Sequence, residues 1–175
     1  MKPFKNLHSK PALISQVNVD TDQIVPARYL RKPRSDDFGE YLFHDVPQLL
    51  DGAANADVLV AGRNFGCGSS REHAVWALYD YGFRTVIAPS FGDIFYSNAL
   101  KNGLLPIVLP EDVVLQLLSS SLPVKVDLEN QKVNDQYHFD IAPFAKKCLL
   151  EGLDEIDYTL SLSDKIAQFE KSHPQ

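Results

Sequence analysis

Between residues 57 and 109 the chain alternates short, unbroken apolar runs with longer amphipathic stretches, and this alternation restricts it to parallel strands covered by helices. Asp57-Val-Leu-Val-Ala61 has the length and composition of a buried strand, and a glycine-rich turn follows it. The spacing then predicts a helix from about Ser70 to Tyr81, stopped by Gly82. Thr85-Val-Ile-Ala88 reads as a second strand, Ser90 to Asn102 as a second helix, and Leu104 to Leu109 as a third strand after Gly103. The pattern is a βαβαβ unit. Such units bind ligands where strand C-termini face helix N-termini, which puts the turn at 62 to 70 at the expected site.

The flanks carry weaker patterns. Leu13 to Val19 alternates loosely and runs into Asp20-Thr21-Asp22, whose short polar side chains suit a turn. Pro26 to Arg34 is a basic loop holding Arg28, Arg31, Lys32 and Arg34. Phe38, Tyr41 and Leu42 then have helical spacing behind Asp36 or Asp37 as a cap. Beyond the central unit, Val113, Val114, Leu117 and Leu118 mark a short helix after Pro110. Val124, Val126 and Leu128, then Tyr137, Phe139 and Ile141, have the period of two expected of half-exposed antiparallel strands around a turn near Asn130. Pro143 to Glu151 is predicted as a helix closed by Gly152, and Ser163 as the cap of a last helix before a frayed tail at His173 to Gln175. The fold class read from these elements is α/β, a parallel sheet with a smaller antiparallel one. With no repeat or linker in view, residues 1–175 are read as one domain.

Composition narrows the function. A chain of 175 residues removes roughly 70% of its unfolded surface from water and needs no metal or disulfide staple. At 45% hydrophobic and 23% charged residues it is too apolar to be mainly disordered. Seventeen Lys and Arg against twenty-three Asp and Glu give a net charge of -6, without the basic footprint that nucleic acid or an anionic membrane would select. Lys2, Lys5, Lys10, Asp20 and Asp22 interrupt the first twenty-five residues, so no signal-peptide core is expected. The longest apolar run, Leu104 to Leu109, is far short of the ~20 residues of a membrane helix. The expectation is a cytoplasmic protein with no nucleic-acid and no membrane partner. Its two cysteines, Cys67 and Cys148, are too few and too far apart to hold an iron–sulfur cluster or a structural zinc unaided.

Candidate chemistry concentrates in Gly62-Arg-Asn-Phe-Gly66-Cys-Gly68-Ser69-Ser70-Arg71-Glu72-His73. Glycines let a ligand approach the backbone, helix N-terminal amides point outward, and Arg71 can grip a carboxylate or phosphate with two parallel bonds. A structural reading competes with this one, because Ser69-x-x-Glu72 fits a capping box and Ser90-Phe-Gly-Asp93 a similar cap. Taken alone, the serine and glutamate favour that reading. The dinucleotide fingerprint fails for want of a third glycine at position 71, G-x-x-x-x-G-K-[ST] is absent, and the serine does not sit in G-x-S-x-G. His73, four residues after Ser69, reads as a packed histidine before it reads as a base. Cys67 near a helix N-terminus could have a lowered pKa, but without a second thiol or a base its structural reading is preferred. The basic loop gains a function only if it meets the Ser69 turn.

Three segments together carry a specific resemblance. Asn64-Phe-Gly-Cys-Gly-Ser-Ser-Arg-Glu-His73, then Ala88-Pro-Ser-Phe91, with Asp20-Thr-Asp-Gln-Ile-Val-Pro-Ala-Arg-Tyr-Leu30 upstream, resemble the small subunits of 3-isopropylmalate dehydratase, within the aconitase superfamily. Phe38-Gly-Glu-Tyr-Leu-Phe43 and Cys148-Leu-Leu-Glu-Gly-Leu153 extend the likeness over most of the chain. The resemblance implies a three-layer β/β/α swivelling domain. It implies that Ser69 is the base, that Ser70 and Arg71 bind substrate carboxylate, and that Asp22 lies near the site. The loop after Pro26, with Arg28, Tyr29, Leu30 and Arg31, corresponds to the one that distinguishes the substrate's variable arm. No cofactor is implied on this chain. A [4Fe-4S] cluster is expected in a large-subunit partner, where its open iron takes the substrate hydroxyl as a Lewis acid. The implied enzyme is a heterodimer or higher assembly acting on a small dicarboxylate. It is a hydro-lyase interconverting 2-isopropylmalate and 3-isopropylmalate through isopropylmaleate in leucine biosynthesis.

One departure stands out: only Asp45 to Ala56 separates the F-G-x-x-L-F segment from the strand before the central motif, a shorter interval than in many bacterial relatives. That shortening bears on the partner interface and the pocket. With the basic loop, it keeps homoaconitase-like or citraconate/methylmalate hydro-lyase activity as an alternative. A non-catalytic anion-binding module is the alternative from another class.

Overall fold

A computed structural model describes residues 1–34 and 37–172. The chain opens with strands β1 (Leu7–Ser9) and β2 (Ala12–Ile14), the single-turn helix α1 (Thr21–Ile24), and 3-10 turns at Ala27–Tyr29, Phe38–Tyr41 and Pro47–Leu50. The central unit follows as β3 (Val58–Ala61), α2 (Glu72–Tyr81), β4 (Thr85–Ala88), α3 (Asp93–Lys101) and β5 (Leu105–Val108). Then come α4 (Glu111–Leu118), β6 (Val124–Asp127), β7 (Lys132–Val133), β8 (Tyr137–His138), α5 (Pro143–Glu151), α6 (Glu155–Ser161) and α7 (Ser163–Ser172).

The parallel sheet has the order β2-β3-β4-β5, and the antiparallel sheet the order β1-β6-β7-β8. Each has four strands, but two antiparallel strands are only two residues long, so that sheet is the smaller. The central strands read as continuous apolar runs because both faces of the parallel sheet are buried. Leu59, Ala61, Val86 and Ala88 face one core with Ala74, Val75, Leu78, Phe95 and Ala99 from α2 and α3. Val58, Val60, Ile87 and Ile107 face a second core with Val113, Val114 and Leu117 of α4 and Val124, Val126 and Val133 of the antiparallel sheet. The layers are therefore helix, parallel sheet and antiparallel sheet, the expected β/β/α order. Pro106, which cannot donate to a ladder, lies in β5 at an edge of the parallel sheet.

Several expected boundaries differ. Of Leu13 to Val19, only the segment through Ile14 pairs with β3; Val17 is exposed and Asn18 takes φ +55°, which turns the chain. Helix α2 starts at Glu72 with Arg71 as N-cap and no side-chain cap bond, so the Ser69–Glu72 capping box does not form. Helix α3 is capped by Gly92 without a side chain; Ser90 Oγ instead accepts from the amide of Asn64 at 2.9 Å. The runs around Asn130 do not pair directly, because β7 lies between β6 and β8 and the last strand ends at His138. At the C-terminal end, Ser163 is the first residue of α7 and its hydroxyl donates to the Leu160 carbonyl at 2.6 Å, so it is not the cap. The unanticipated α6 precedes it, started by a capping box between Asp154 and Asp157. Asp37 does cap its turn, its carboxylate accepting from Gly39. Asp36 and the tail at His173 to Gln175 lie outside the described residues.

Candidate active site

The glycine-rich turn leaves β3 at the C-terminal end of the parallel sheet and is fixed on both sides by backbone bonds. Toward the N-terminal segment, Asn18 donates to the Arg63 carbonyl at 2.9 Å, Gly66 to Val19 at 2.7 Å, and Thr21 to Cys67 at 2.9 Å. Toward α3, Phe65 donates to Ser90 at 3.1 Å and Gly92 to Phe65 at 3.0 Å. Asn64 and Asn18 both take positive φ, near +58° and +55°, and the Asn64 side chain donates to that of Asn18 at 2.9 Å. Gly66 has φ +70°, and a Cβ there would fall 2.2 Å from Cγ of Phe95, so the turn sits directly on that ring. Only glycine fits both conditions.

This lacing delivers Ser69, Ser70 and Arg71 to the surface. Thr21 Oγ1 donates to the Ser69 carbonyl at 3.2 Å, and the Arg71 amide donates to the same oxygen at 2.8 Å. Arg71 has extended backbone and its guanidinium forms an ion pair with Asp22. The Arg71 side chain keeps 21% of its exposure against 57% for Asp22, so the cation is the more desolvated partner. Ser69 and Ser70 are exposed, and their hydroxyls have no hydrogen-bond partner among the described residues. The amides of Ser70, Glu72 and His73 are likewise unclaimed among the described residues. The Ser69 and Ser70 hydroxyls, the Ser70 and His73 amides and the Arg71 guanidinium thus lie within five consecutive residues, a donor set suited to a carboxylate. Glu72 is turned away, its Oε1 accepting from Asn102 Nδ2 at 2.7 Å.

Cys67 and His73 differ from a reactive thiol and an exposed base in their surroundings. The Cys67 thiol is pushed up by burial and by Asp20, the opposite of the lowered pKa that a helix N-terminus could give. His73 packs 5.4 Å from the ring of Phe38 and 4.5 Å from that of Trp76, and burial holds its pKa below the usual histidine value. Cys148 is buried on α5, and among the described residues no group of His, Cys, Asp and Glu is placed to hold a metal ion. This chain's residues do not fit an iron–sulfur cluster.

The basic loop lies beside this turn through its backbone, the Leu30 carbonyl standing against the His73 imidazole. Its side chains are differently disposed. Arg28 makes a two-pronged bond to Asp45, with Nη1 to Oδ2 at 2.7 Å, and lies 4.7 Å from the centre of the Tyr29 ring. Asp45 is correspondingly pulled down to about 2 by the guanidinium. Tyr29 stacks on Tyr41 at 4.4 Å, and Arg34 bonds Asp80 with both nitrogens, at 2.7 and 3.0 Å. Arg31 is exposed and makes no side-chain hydrogen bond or ion pair among the described residues. The structure therefore brings Asp22, Ser69, Ser70 and Arg71 together, sets Leu30 against His73, and pairs Arg28 with Asp45 and Tyr29 with Tyr41. Sequence reasoning gave no site role to Thr21, Asn18 or Asp45, which hold these groups; the short polar side chains of Asp20-Thr21-Asp22 were the only signal.

A parallel sheet whose strand ends carry a donor-rich serine–arginine turn defines the class, and the Aconitase C-terminal domain model matches residues 51–112. The 3-isopropylmalate dehydratase small subunit of Geobacillus kaustophilus is 48% identical over 193 residues, covering 99% of this chain and 98% of its own length. That of Bacillus subtilis is 45% identical, covering 97% of this chain and 96% of its own length. A crystal structure of 3-isopropylmalate dehydratase from Methanocaldococcus jannaschii superposes with a TM-score of 0.73 at 29% identity, covering 95% of this chain and 99% of that one. The chain belongs to the 3-isopropylmalate dehydratase small-subunit family. The first pairing runs over more positions than the 175 residues present here, so that relative carries residues this chain lacks. In this chain the 45–56 interval is closed by the Pro47–Leu50 turn, with Ala53 and Ala56 buried.

Proposed function

We infer that this chain, as a single swivelling domain, is the small subunit of a two-subunit hydro-lyase that interconverts 2-isopropylmalate and 3-isopropylmalate through isopropylmaleate in cytoplasmic leucine biosynthesis. The observation that carries the reading is the exposed, unpartnered Ser69 hydroxyl on the turn that also holds Arg71, whose guanidinium pairs with Asp22, with the Ser70 and His73 amides unclaimed among the described residues. Ser69 is the group that takes the proton next to a substrate carboxylate. A serine hydroxyl is a very weak acid, so its alkoxide has to be held by positive charge and backbone donors, which the turn supplies. Ser70 and Arg71 bind the carboxylate, the arginine through its planar fork. Asp22 acts through Arg71, whose guanidinium it engages.

Loss of the substrate hydroxyl belongs to the large subunit and its [4Fe-4S] cluster, since the cysteines here furnish no ligand set. Tyr29, Leu30 and Arg31 border the substrate's variable arm. Arg31, exposed and without a side-chain partner among the described residues, sustains a second reading in which that arm is a carboxylate, as in a homoaconitase.

The test combines this chain anaerobically with a cluster-loaded large subunit and follows the unsaturated diacid formed from 3-isopropylmalate, with each chain alone as control. Turnover confined to the mixture is the expected result. An assembled, cluster-intact complex that is silent on 3-isopropylmalate but turns over homoisocitrate rejects the first reading in favour of the second.

A further inference from the structure

Helix α2 declines a start that its own sequence offers. A box at Ser69-x-x-Glu72 would run the helix back through Ser70 and Arg71, with the Ser69 hydroxyl accepting from the Glu72 amide and the Glu72 carboxylate from the Ser69 amide. The chain forms this motif twice elsewhere, from Asp20 to Gln23 and from Asp154 to Asp157. At the serine turn it does not, and the helix begins at Glu72.

The competing partner is Asn102, thirty residues on, at the C-terminal cap of α3. Its Nδ2 donates to Glu72 Oε1 at 2.7 Å and to the Asn98 carbonyl at 2.9 Å, while its Oδ1 accepts from Trp76 Nε1 at 3.0 Å. The Trp76 bond fixes which end of the amide faces Glu72, because an indole nitrogen can only donate. A part-buried, charge-assisted bond outweighs the exposed box it replaces. Where a strong local preference is overridden without local compensation, function is the common reason.

We propose that Asn102 is a positioning residue that holds the Glu72 carboxylate away from Ser69. The late helix start leaves the Ser69 hydroxyl free, keeps Arg71 extended toward Asp22, and removes a negative charge from the path of an incoming carboxylate. The proposal rests on the reading of Ser69 as the base.

Two readouts test it: amide hydrogen exchange in the full chain, and kcat of the complex assembled with its large subunit. Asn102→Asp still accepts from Trp76 but repels Glu72, so the Ser69 and Glu72 amides gain about 10-fold protection and kcat falls about 10-fold or more while KM moves less. Adding Glu72→Gln restores a tether of reversed polarity, because the new side-chain amide on α2 donates to the new carboxylate at the end of α3, and brings both readouts back to within about 3-fold of the parent. Glu72→Ala alone removes box and tether together; with only the carboxylate's absence from the turn required, it stays within about 3-fold in kcat. Folded Asn102→Asp with parent-like exchange, a double variant that stays at the level of Asn102→Asp, or Glu72→Ala as damaged as Asn102→Asp overturns the proposal. An inactive parent complex with the expected exchange pattern rejects the enzymatic reading and leaves the tether standing.

Discussion

The guanidinium of Arg71 is paired with the carboxylate of Asp22, 49 residues earlier in the chain, and this contact ties the serine turn to the segment that leads into the basic loop. Its partners differ in what they do for an anion: the arginine attracts it directly, and the aspartate only aims the arginine. Arg71→Lys replaces a planar fork with a point charge and is expected to lower kcat/KM of the assembled enzyme about 10–100-fold, the worth of one charge-assisted bond. Asp22→Asn, which removes a partly exposed partner, is expected to cost about 2–5-fold. Steady-state kinetics on 3-isopropylmalate, with thermal melting to verify folding, checks both; equal losses would contradict the division of labour.

Gly66 lies against the Phe95 ring at φ +70°, and Gly92 approaches the Gly66 carbonyl so closely that a Cβ there would fall 2.6 Å from it. Gly66→Ala combines left-handed backbone with overpacking and is expected to destabilise the chain by about 2–4 kcal/mol. Urea unfolding measures this, and a loss below about 1 kcal/mol would mean the turn can shift off the ring.

The Cys67 thiol, pushed up by burial and by Asp20, is expected to stay protonated at neutral pH and to alkylate slowly. In a Cys148→Ala background, the iodoacetamide rate should rise only at pH values higher than those at which a free cysteine reacts. An inflection near pH 7 would show a thiolate-stabilising turn at Cys67 instead.

His73 gives stability a pH dependence of definite sign. Burial against Phe38 and Trp76 holds its folded pKa below the unfolded value of about 6.5, so the unfolded state binds the proton more readily. The full stability is present above about pH 6.5 and is lost as pH falls through the folded value. Chemical denaturation at pH 7.5 and pH 5 should show a larger loss in the parent than in His73→Phe. An equal loss would remove the assignment.

The sequence exposed the fold most clearly where burial leaves a direct mark. Thr85–Ala88 and Pro143–Glu151 appear in the structure with the bounds read from the chain, because a strand buried on both faces and a helix between Pro143 and Gly152 are written in local chemistry. What stayed illegible depends on distant partners. The start of α2 is decided by Asn102, and β1 forms only because β6, more than a hundred residues later, offers it a ladder. The site shows the same division. The serine–arginine turn is legible as a donor cluster, whereas the capture of Arg28 by Asp45 needs a segment whose own sequence says nothing of an arginine. Helix α6 was open to reading from Asp154 and Asp157, since the box that starts it is formed by those two side chains.

The central claim is that Ser69 supplies the base of a reaction whose other half lies on the large subunit. Its most direct test is Ser69→Ala in an assembled, cluster-intact complex, with kcat for 3-isopropylmalate dehydration and the affinity for a substrate-like dicarboxylate measured on the same preparation. The account expects kcat to fall about 10²–10⁴-fold, the usual worth of a positioned base, while affinity changes little. Turnover within about twofold of the parent by a complex that binds and assembles normally would contradict it.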